Sequence, residues 1–209
     1  MIRRLLVATR SAGKWRELDP LLAAAGFAPE DLVRAGLEET EDEVELEAFE
    51  TFEANAVAKA RHFFSRSGGV PTVADDSGLE VQALGGRPGV RSKRWSGLVG
   101  LDGRALDDAN NAKLLSSLLA LAGVSGGATN RAARYVCAAA YVDGDREVVA
   151  RGETAGTIAL AARGSRGFGY DPYFVSDELR VTFGEASREL KERVSHRARA
   201  FRALIASLG

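Results

Sequence analysis

The chain has 209 residues, 45% hydrophobic and 27% charged, with a net charge of −1. That length buries a substantial core without staples, and the charge balance gives no reason to expect a nucleic-acid partner. One cysteine, Cys137, excludes an internal disulfide and fits a cytoplasmic protein. No apolar run approaches the ~20 residues of a membrane span, so no membrane partner is expected.

Met1 to Ala8 opens with basic residues and turns apolar. The run is too short for a signal-peptide core and reads as a first strand over Arg4–Ala8. Thr9 to Gly13 is a polar loop. Lys14 to Ala25 is a helix, with Trp15, Leu18, Leu21 and Leu22 at helical spacing and Gly26 as its stop. Pro20 is expected to kink or shorten it. Leu32 to Ala35 is expected to return as a parallel strand. The acidic run Glu38 to Glu50 reads as a solvated loop. Thr51 caps a helix running to about Arg66, stopped by Gly68-Gly69, with Asn55 and Lys59 four apart on one face.

Val70 to Ala74 reads as a strand that stops at Asp75-Asp76-Ser77-Gly78, and Leu79 to Leu84 as a further strand. Gly85 to Gly89 is a loop. Ala105 to Leu121 is a long helix, followed by a Gly/Ser-rich connection over Val124 to Thr129. Tyr135–Val142 and Glu147–Gly152 form a hairpin around Asp143-Gly144-Asp145. A second glycine-rich loop, Gly164 to Gly169, leads into Tyr170-Asp171-Pro172. Arg188 to Leu208 reads as one C-terminal helix, basic on its outer face.

Four segments hold polar residues that neither a core nor a plain surface requires. In Thr9-Arg10-Ser11-Ala12-Gly13-Lys14, helix-terminal N–H groups, a hydroxyl and a lysine make a phosphate cradle, unless Ser11 is simply the helix cap. Asn55 and Lys59 form a second candidate pair. Asp75 and Asp76 repel unless a proton or cation separates them, so they suit Mg²⁺ or acid–base work; the alternative is a polar turn. Ser195-His196-Arg197 offers base or phosphate contacts, or a solvated helical face. Ser195 and His196 are sequence neighbours and point apart on a helix, which disfavours a nucleophile triad. Two histidines, His62 and His196, and one cysteine, Cys137, are too few for the four N/S ligands of a structural zinc site. Cys137, in an apolar stretch, reads as an inert core residue.

Taken in order, these blocks resemble the Ham1-type inosine triphosphate pyrophosphatases, or XTP/dITP diphosphatases. The blocks are Leu6-Val7-Ala8-Thr9 through Lys14, Thr51-Phe52-Glu53-Ala54-Asn55-Ala56 with Lys59-Ala60, and Ala74-Asp75-Asp76-Ser77-Gly78-Leu79. They continue with Ala83 to Val90, Gly167-Phe168-Gly169-Tyr170-Asp171-Pro172, and Lys191 with Ser195-His196-Arg197.

The resemblance implies an elongated mixed α/β fold, with a sheet flanked by helices and two lobes around a central nucleotide cleft, usually homodimeric. It implies Mg²⁺-dependent hydrolysis of non-canonical purine nucleoside triphosphates (ITP, dITP, XTP) to monophosphate and pyrophosphate. On that pattern the Thr9–Lys14 loop cradles the triphosphate and Lys59 adds positive charge. Asp76 is the general base and a metal contact, with Asp75 beside it. Ser77 contacts substrate. Phe168, Gly169, Tyr170 and Asp171 line the base pocket, with Phe168 stacking on the purine. Lys191, His196 and Arg197 complete the contacts. Glu47 aligns best with the family's metal glutamate, with Glu45 and Glu50 also on offer. Arg10 and Ser11 stand where the family usually has Gly and Asn, and the Arg10 guanidinium is a candidate phosphate ligand. A related pyrophosphatase for other modified nucleotides and a binding module that has lost catalysis are the alternative readings.

Overall fold

The structure is a computed structural model that describes residues 3–125 and 130–209. Six strands form one sheet in the order β2-β1-β3-β4-β5-β6: β1 Arg3–Val7, β2 Phe27–Asp31, β3 Thr72–Val81, β4 Ala132–Val142, β5 Glu147–Ile158 and β6 Phe174–Ser176. The five α-helices among the described residues are α1 Ala12–Ala24, α2 Phe52–Arg66, α3 Gly103–Ser125, α4 Arg188–Val194 and α5 His196–Leu208. β1 is parallel to both β2 and β3, and β5 is antiparallel to β6. The class is mixed α/β, as the sequence implied. No helix among the described residues is long and apolar enough to cross a membrane.

The chain divides into two units. The first holds Met1–Asp76, Cys137–Gly152 and His196–Gly209. Its core gathers Leu5 and Val7 of β1, Leu18, Leu21 and Leu22 of α1, Cys137 and Ala139 of β4, and Phe201 and Leu204 of α5. The spacing of the α1 leucines puts them on one face, so the helix has one way to pack. The second unit holds Ser77–Val136 and Glu153–Ser195. Its core joins Leu79 and Val81 to Leu114 and Leu118 of α3 and to an aromatic cluster. Tyr135 stacks on Phe183 at 5.9 Å between centroids, and Phe174 lies 5.1 Å from Phe183.

Local signals worked at several points. Ser11 caps α1, its hydroxyl accepting from the Lys14 N–H at 3.3 Å. Thr51 caps α2 in the same way, accepting from Ala54 N–H at 3.2 Å. Asp143 closes the β4–β5 hairpin, accepting from the Arg146 N–H at 2.8 Å.

Elsewhere the structure corrects the sequence reading. The parallel return strand is β2, which ends at Asp31, so Leu32–Ala35 follows it rather than forming it. Pro29 lies inside β2, which is tolerated because β2 is an edge strand and its missing N–H breaks no inner ladder. Pro20 does not end α1, which runs on to Ala24. The acidic run is not a bare loop: Glu41–Glu47 winds into a 3-10 helix, because cations from other segments hold its carboxylates. β3 does not stop at the acidic pair but continues through Asp75-Asp76-Ser77-Gly78 to Val81, taking in the first half of the strand expected at Leu79–Leu84, while Gln82–Leu84 forms a 3-10 turn instead. The C-terminal helix is two helices, broken at Ser195, whose extended backbone (ψ 144°) ends α4 while its N–H still reaches the Lys191 carbonyl at 2.8 Å. Residues 126–129 of the expected Gly/Ser connection lie outside the described residues.

Candidate active site

In the first unit, β3 carries Asp75 and Asp76 side by side, both buried. Successive strand residues point to opposite faces, so the two carboxylates meet different surroundings. Asp75 is 1% exposed. Its Oδ2 lies 3.0 Å from Lys14 Nζ and accepts from Arg197 Nε at 3.1 Å. Burial alone would raise its pKa, but Lys14 and Arg197 hold it far below the usual carboxylate range. Its Oδ1 is buried and, among the described residues, has no hydrogen-bond partner.

Asp76 behaves in the opposite way. Burial, with the charge of nearby Glu47, raises its pKa against the pull of Lys14 and Lys59. Its Oδ2 accepts from Asn55 Nδ2 at 2.8 Å. Asn55 is fully buried and spends its other groups on the Phe49 backbone, accepting from N–H at 2.9 Å and donating to C=O at 3.3 Å. The amide is thus fixed from both ends, and it holds one oxygen of the Asp76 carboxylate.

Lys59, one turn along α2 from Asn55, donates to Glu47 Oε1 at 2.6 Å and to the Asp75 carbonyl at 3.1 Å. Burial opposes its charge, but Glu47, Asp76 and Asp75 outweigh it and keep the ammonium protonated. Arg197 sits at the start of α5, 2% exposed, and its Nη1 pairs with Glu17 of α1. His196 is buried beside it in sequence.

The Thr9–Lys14 loop joins β1 to α1. Thr9 Oγ1 accepts from the Ser11 N–H at 3.1 Å, and Ala12 and Gly13 form the first turn of α1, whose N–H groups lack intrahelical acceptors. Arg10 turns to the acidic 3-10 helix. Its Nε and Nη2 grip Glu43 at 3.1 and 2.7 Å, and its Nη1 donates to the Leu37 carbonyl at 2.7 Å. Arg66 of α2 reaches the same Glu43 at 2.9 Å. Glu43, Glu17 and the paired hydrogen bonds between Asn55 and the Phe49 backbone escaped the sequence reading; Glu43 and Glu17 find their arginine partners in other segments, and the Asn55 pairing carries no motif.

The second unit holds the 168–171 segment. Phe168 N–H donates to Asp171 Oδ2 at 2.9 Å, and Lys191 Nζ donates to the same oxygen at 2.6 Å. Lys191 Nζ also lies 5.1 Å from the Phe168 ring centroid. Gly167 has φ +77°, and a Cβ there would stand 2.0 Å from Asp171 Oδ2, so only glycine fits. The Gly169 N–H donates to Asp107 Oδ2 at 2.7 Å, and its carbonyl accepts from Asn111 Nδ2 at 3.0 Å. Tyr170 OH donates to the Ser92 carbonyl at 2.8 Å. Ser77 is half-buried in β3. Asp107 and Asn111 stand four apart on α3, a spacing visible in the sequence but carrying no motif.

The first unit therefore gathers Lys14, Glu47, Lys59, Asp75, Asp76 and Arg197, and the second gathers Phe168, Gly169, Asp171 and Lys191. No group of three or more His, Cys, Asp or Glu side chains among the described residues is set to hold a metal unaided.

Comparison with known proteins supports the same reading. A dITP/XTP pyrophosphatase of Mycobacterium bovis is 46% identical over 212 aligned positions, covering 100% of this chain and 96% of the relative. A solved HAM1 protein from Coxiella burnetii superposes with a TM-score of 0.81 at 30% identity, covering 99% of this chain and 98% of the other. A crystal structure of a nucleoside-triphosphatase, dITP/XTP pyrophosphatase, from Mycobacterium abscessus gives a TM-score of 0.68 at 40% identity, covering 96% of this chain and 98% of the other. The sequence profile of the Ham1 family matches residues 5–207, so the chain belongs to the Ham1 family.

Proposed function

We propose that this chain hydrolyses non-canonical purine nucleoside triphosphates, of the dITP and XTP kind, to the monophosphate and pyrophosphate. The observation that carries the proposal is the geometry of two adjacent buried carboxylates, Asp75 paired with Lys14 and Arg197 and Asp76 held by the neutral amide of Asn55. Asp75 is held ionised by Lys14 and Arg197, while Asp76 has its proton affinity raised. Paired groups pushed apart in this way mark an assignment of roles, with Asp76 the one suited to take a proton.

In this reading Asp76 accepts a proton from the water whose oxygen bonds to the α-phosphorus. The bridging oxygen to the β-phosphate leaves with the bonding pair, as pyrophosphate. Asn55 keeps the Asp76 carboxylate aimed while this happens. Lys14 and Lys59, with the N–H groups of Ala12 and Gly13 and the hydroxyls of Thr9 and Ser11, receive the phosphates. A triphosphate brings about four negative charges, which these groups must offset before water approaches.

The donor set fits a hard divalent cation. The charge of Glu47 raises the pKa of Asp76, a conflict that a cation would relieve. Mg²⁺ is the natural candidate, since it keeps waters and takes substrate phosphates alongside few protein oxygens. Asp76 and Glu47 would hold it; Asp75, on the opposite face of β3 and paired with Lys14 and Arg197, is not placed to join them as the sequence reading had it. When bound it neutralises phosphate charge and polarises the attacked phosphorus.

The second unit supplies the chemistry of base recognition. Phe168 offers a face for stacking, and Tyr170, Asp171 and Lys191 offer polar groups beside it; His196 and Arg197, which belong to the first unit, are proposed as substrate contacts there. A site built on a hydrogen bond to a 6-oxo group rejects a 6-amino purine, because a buried polar group would be left unpaired. The chain is proposed to act in the cytoplasm as a homodimer, with no nucleic-acid or membrane partner, in line with its lone cysteine and near-neutral charge.

The test is pyrophosphate release from dITP, XTP, ATP and GTP at equal concentration, with and without Mg²⁺. Metal-dependent release from dITP and XTP, with little from ATP and GTP, is expected. Equal release from all four would remove the preference for non-canonical bases, and binding without release would leave a nucleotide-binding module.

A further inference from the structure

We infer that Asp107 and Asn111 of α3 are positioning residues for base recognition, fixing the backbone that presents Phe168 and Tyr170. The inference rests on the proposed function, in which the 168–171 segment reads the base.

Two consecutive peptide planes meet at the Gly169 Cα. The plane before it carries the Gly169 N–H, which donates to Asp107 Oδ2 at 2.7 Å. The plane after it carries the Gly169 carbonyl, which accepts from Asn111 Nδ2 at 3.0 Å. Both holders come from one helix, and a four-residue spacing puts them on one face. Gly169 has φ +63°, a conformation glycine adopts freely and leaves as freely. Without outside restraint this would be the loosest point of the segment.

The restraint acts on each side of that point. Phe168 precedes the first plane, and its own N–H is held by Asp171 at 2.9 Å. Tyr170 follows the second plane, and its hydroxyl is anchored on the Ser92 carbonyl at 2.8 Å. With Asp107 and Asn111 in place, every turn from Phe168 to Asp171 is tied to a side chain or a backbone group of the second unit. Asn111 is 4% exposed, so its bond to Gly169 is shielded from competing water. Burial raises the pKa of Asp107, with the Gly169 N–H opposing that rise. The carboxylate is therefore held at an energetic cost that a plain surface residue would not carry. Neither side chain needs to touch the substrate. Their effect is on where the stacking ring and its neighbour stand, and errors of about 1 Å in such placement change rates by about a hundredfold.

The test uses two nearly isosteric substitutions with opposite expected outcomes. Asp107→Asn keeps an acceptor oxygen for the Gly169 N–H. Asn111→Asp replaces the donor to the Gly169 carbonyl with an acceptor, so two oxygens would face each other. The readout is the ratio of kcat/KM for dITP to that for dATP in the presence of Mg²⁺, with thermal melting as a check on folding. Asp107→Asn is expected to keep the ratio within about threefold of wild type, and Asn111→Asp to lower it about tenfold or more. A general loss of structure would lower both rates together and leave the ratio alone. Should Asn111→Asp fail to fold, Asn111→Ser, too short to reach the carbonyl, carries the same expectation. An unchanged ratio in the Asn111 variant, or an equal loss in Asp107→Asn, overturns the inference. A wild-type enzyme with no preference for dITP over dATP would instead overturn the proposed function.

Discussion

Asn55 Nδ2 donates to Asp76 Oδ2 at 2.8 Å, tying the first turns of α2 to the middle of β3. The bond survives if Asp76 becomes an asparagine with its oxygen turned to Asn55. It therefore separates the carboxylate's chemistry from its structural place.

Asp76→Asn is expected to lower turnover by about 10²–10⁴-fold, the scale of a lost general base. The same variant is expected to be more stable than wild type at neutral pH. Burial raises the Asp76 pKa, so the folded state binds that proton more tightly than the unfolded state does. Stability from this group is then lost as pH rises from the unfolded value, about 3.9, through the raised folded value. Removing the carboxylate removes that cost, worth about 0.5–2 kcal/mol for a functional site of this kind. Urea unfolding at pH 7 measures it, and a destabilised variant would count against the account.

Arg197→Leu is expected to cost about 3–5 kcal/mol, because it strips a partner from buried Asp75. Asp75 titrates well below the usual carboxylate range, so its contribution is full above about pH 4 and is lost as pH falls through the folded value. Wild type should therefore show an acid limb of falling stability below about pH 4, and the limb should flatten in Arg197→Leu. Identical slopes in the two proteins would exclude Asp75 as its source.

Arg10→Ala is expected to raise the Mg²⁺ concentration needed for half-maximal rate several-fold. Arg10 and Arg66 share Glu43, in the same 3-10 helix that ends on Glu47. Releasing one clamp loosens the segment carrying the proposed metal ligand. Arg10→Lys should not rescue it, because a lysine cannot span the two Glu43 oxygens and the Leu37 carbonyl at once. A magnesium titration of the three proteins decides the matter.

Gly152→Ala should destabilise the protein by about 1–3 kcal/mol and slow turnover. A Cβ at 152 would lie 2.3 Å from the His196 carbonyl and 2.4 Å from the Ala200 N. The neighbours are backbone, so the first turn of α5, which carries Arg197, would have to move. Thermal melting and a single-turnover assay would report both effects.

The parts of this fold that were legible in the sequence are those whose cause is local. Ser11 and Thr51 announce their helices within three residues, and Asp143 closes its own turn. Asp75 and Asp76 misled as to the end of β3, because adjacent carboxylates ordinarily face water. Their burial depends on Lys14, 61 positions earlier, and Arg197, 122 positions later, which no local pattern reports. The break at Ser195 was hidden in the same way, under a helical run of basic and apolar residues. Among the site residues, the carboxylates and lysines stood out by type. Glu17, Glu43, Asp107 and Asn111 did not, since each is an ordinary helix residue until its partner from another segment arrives.

Cys137 lies fully buried, 3.8 Å from Asp75 Oδ2, and both burial and that charge push its pKa well above the thiol range. Oxidants attack the thiolate rather than the thiol. A carboxylate held ionised next door at neutral pH thus serves as a guard on the chain's one cysteine sulfur. Peroxide is therefore expected to reach Cys137 only when the fold opens around it, so that loss of this thiol would report unfolding.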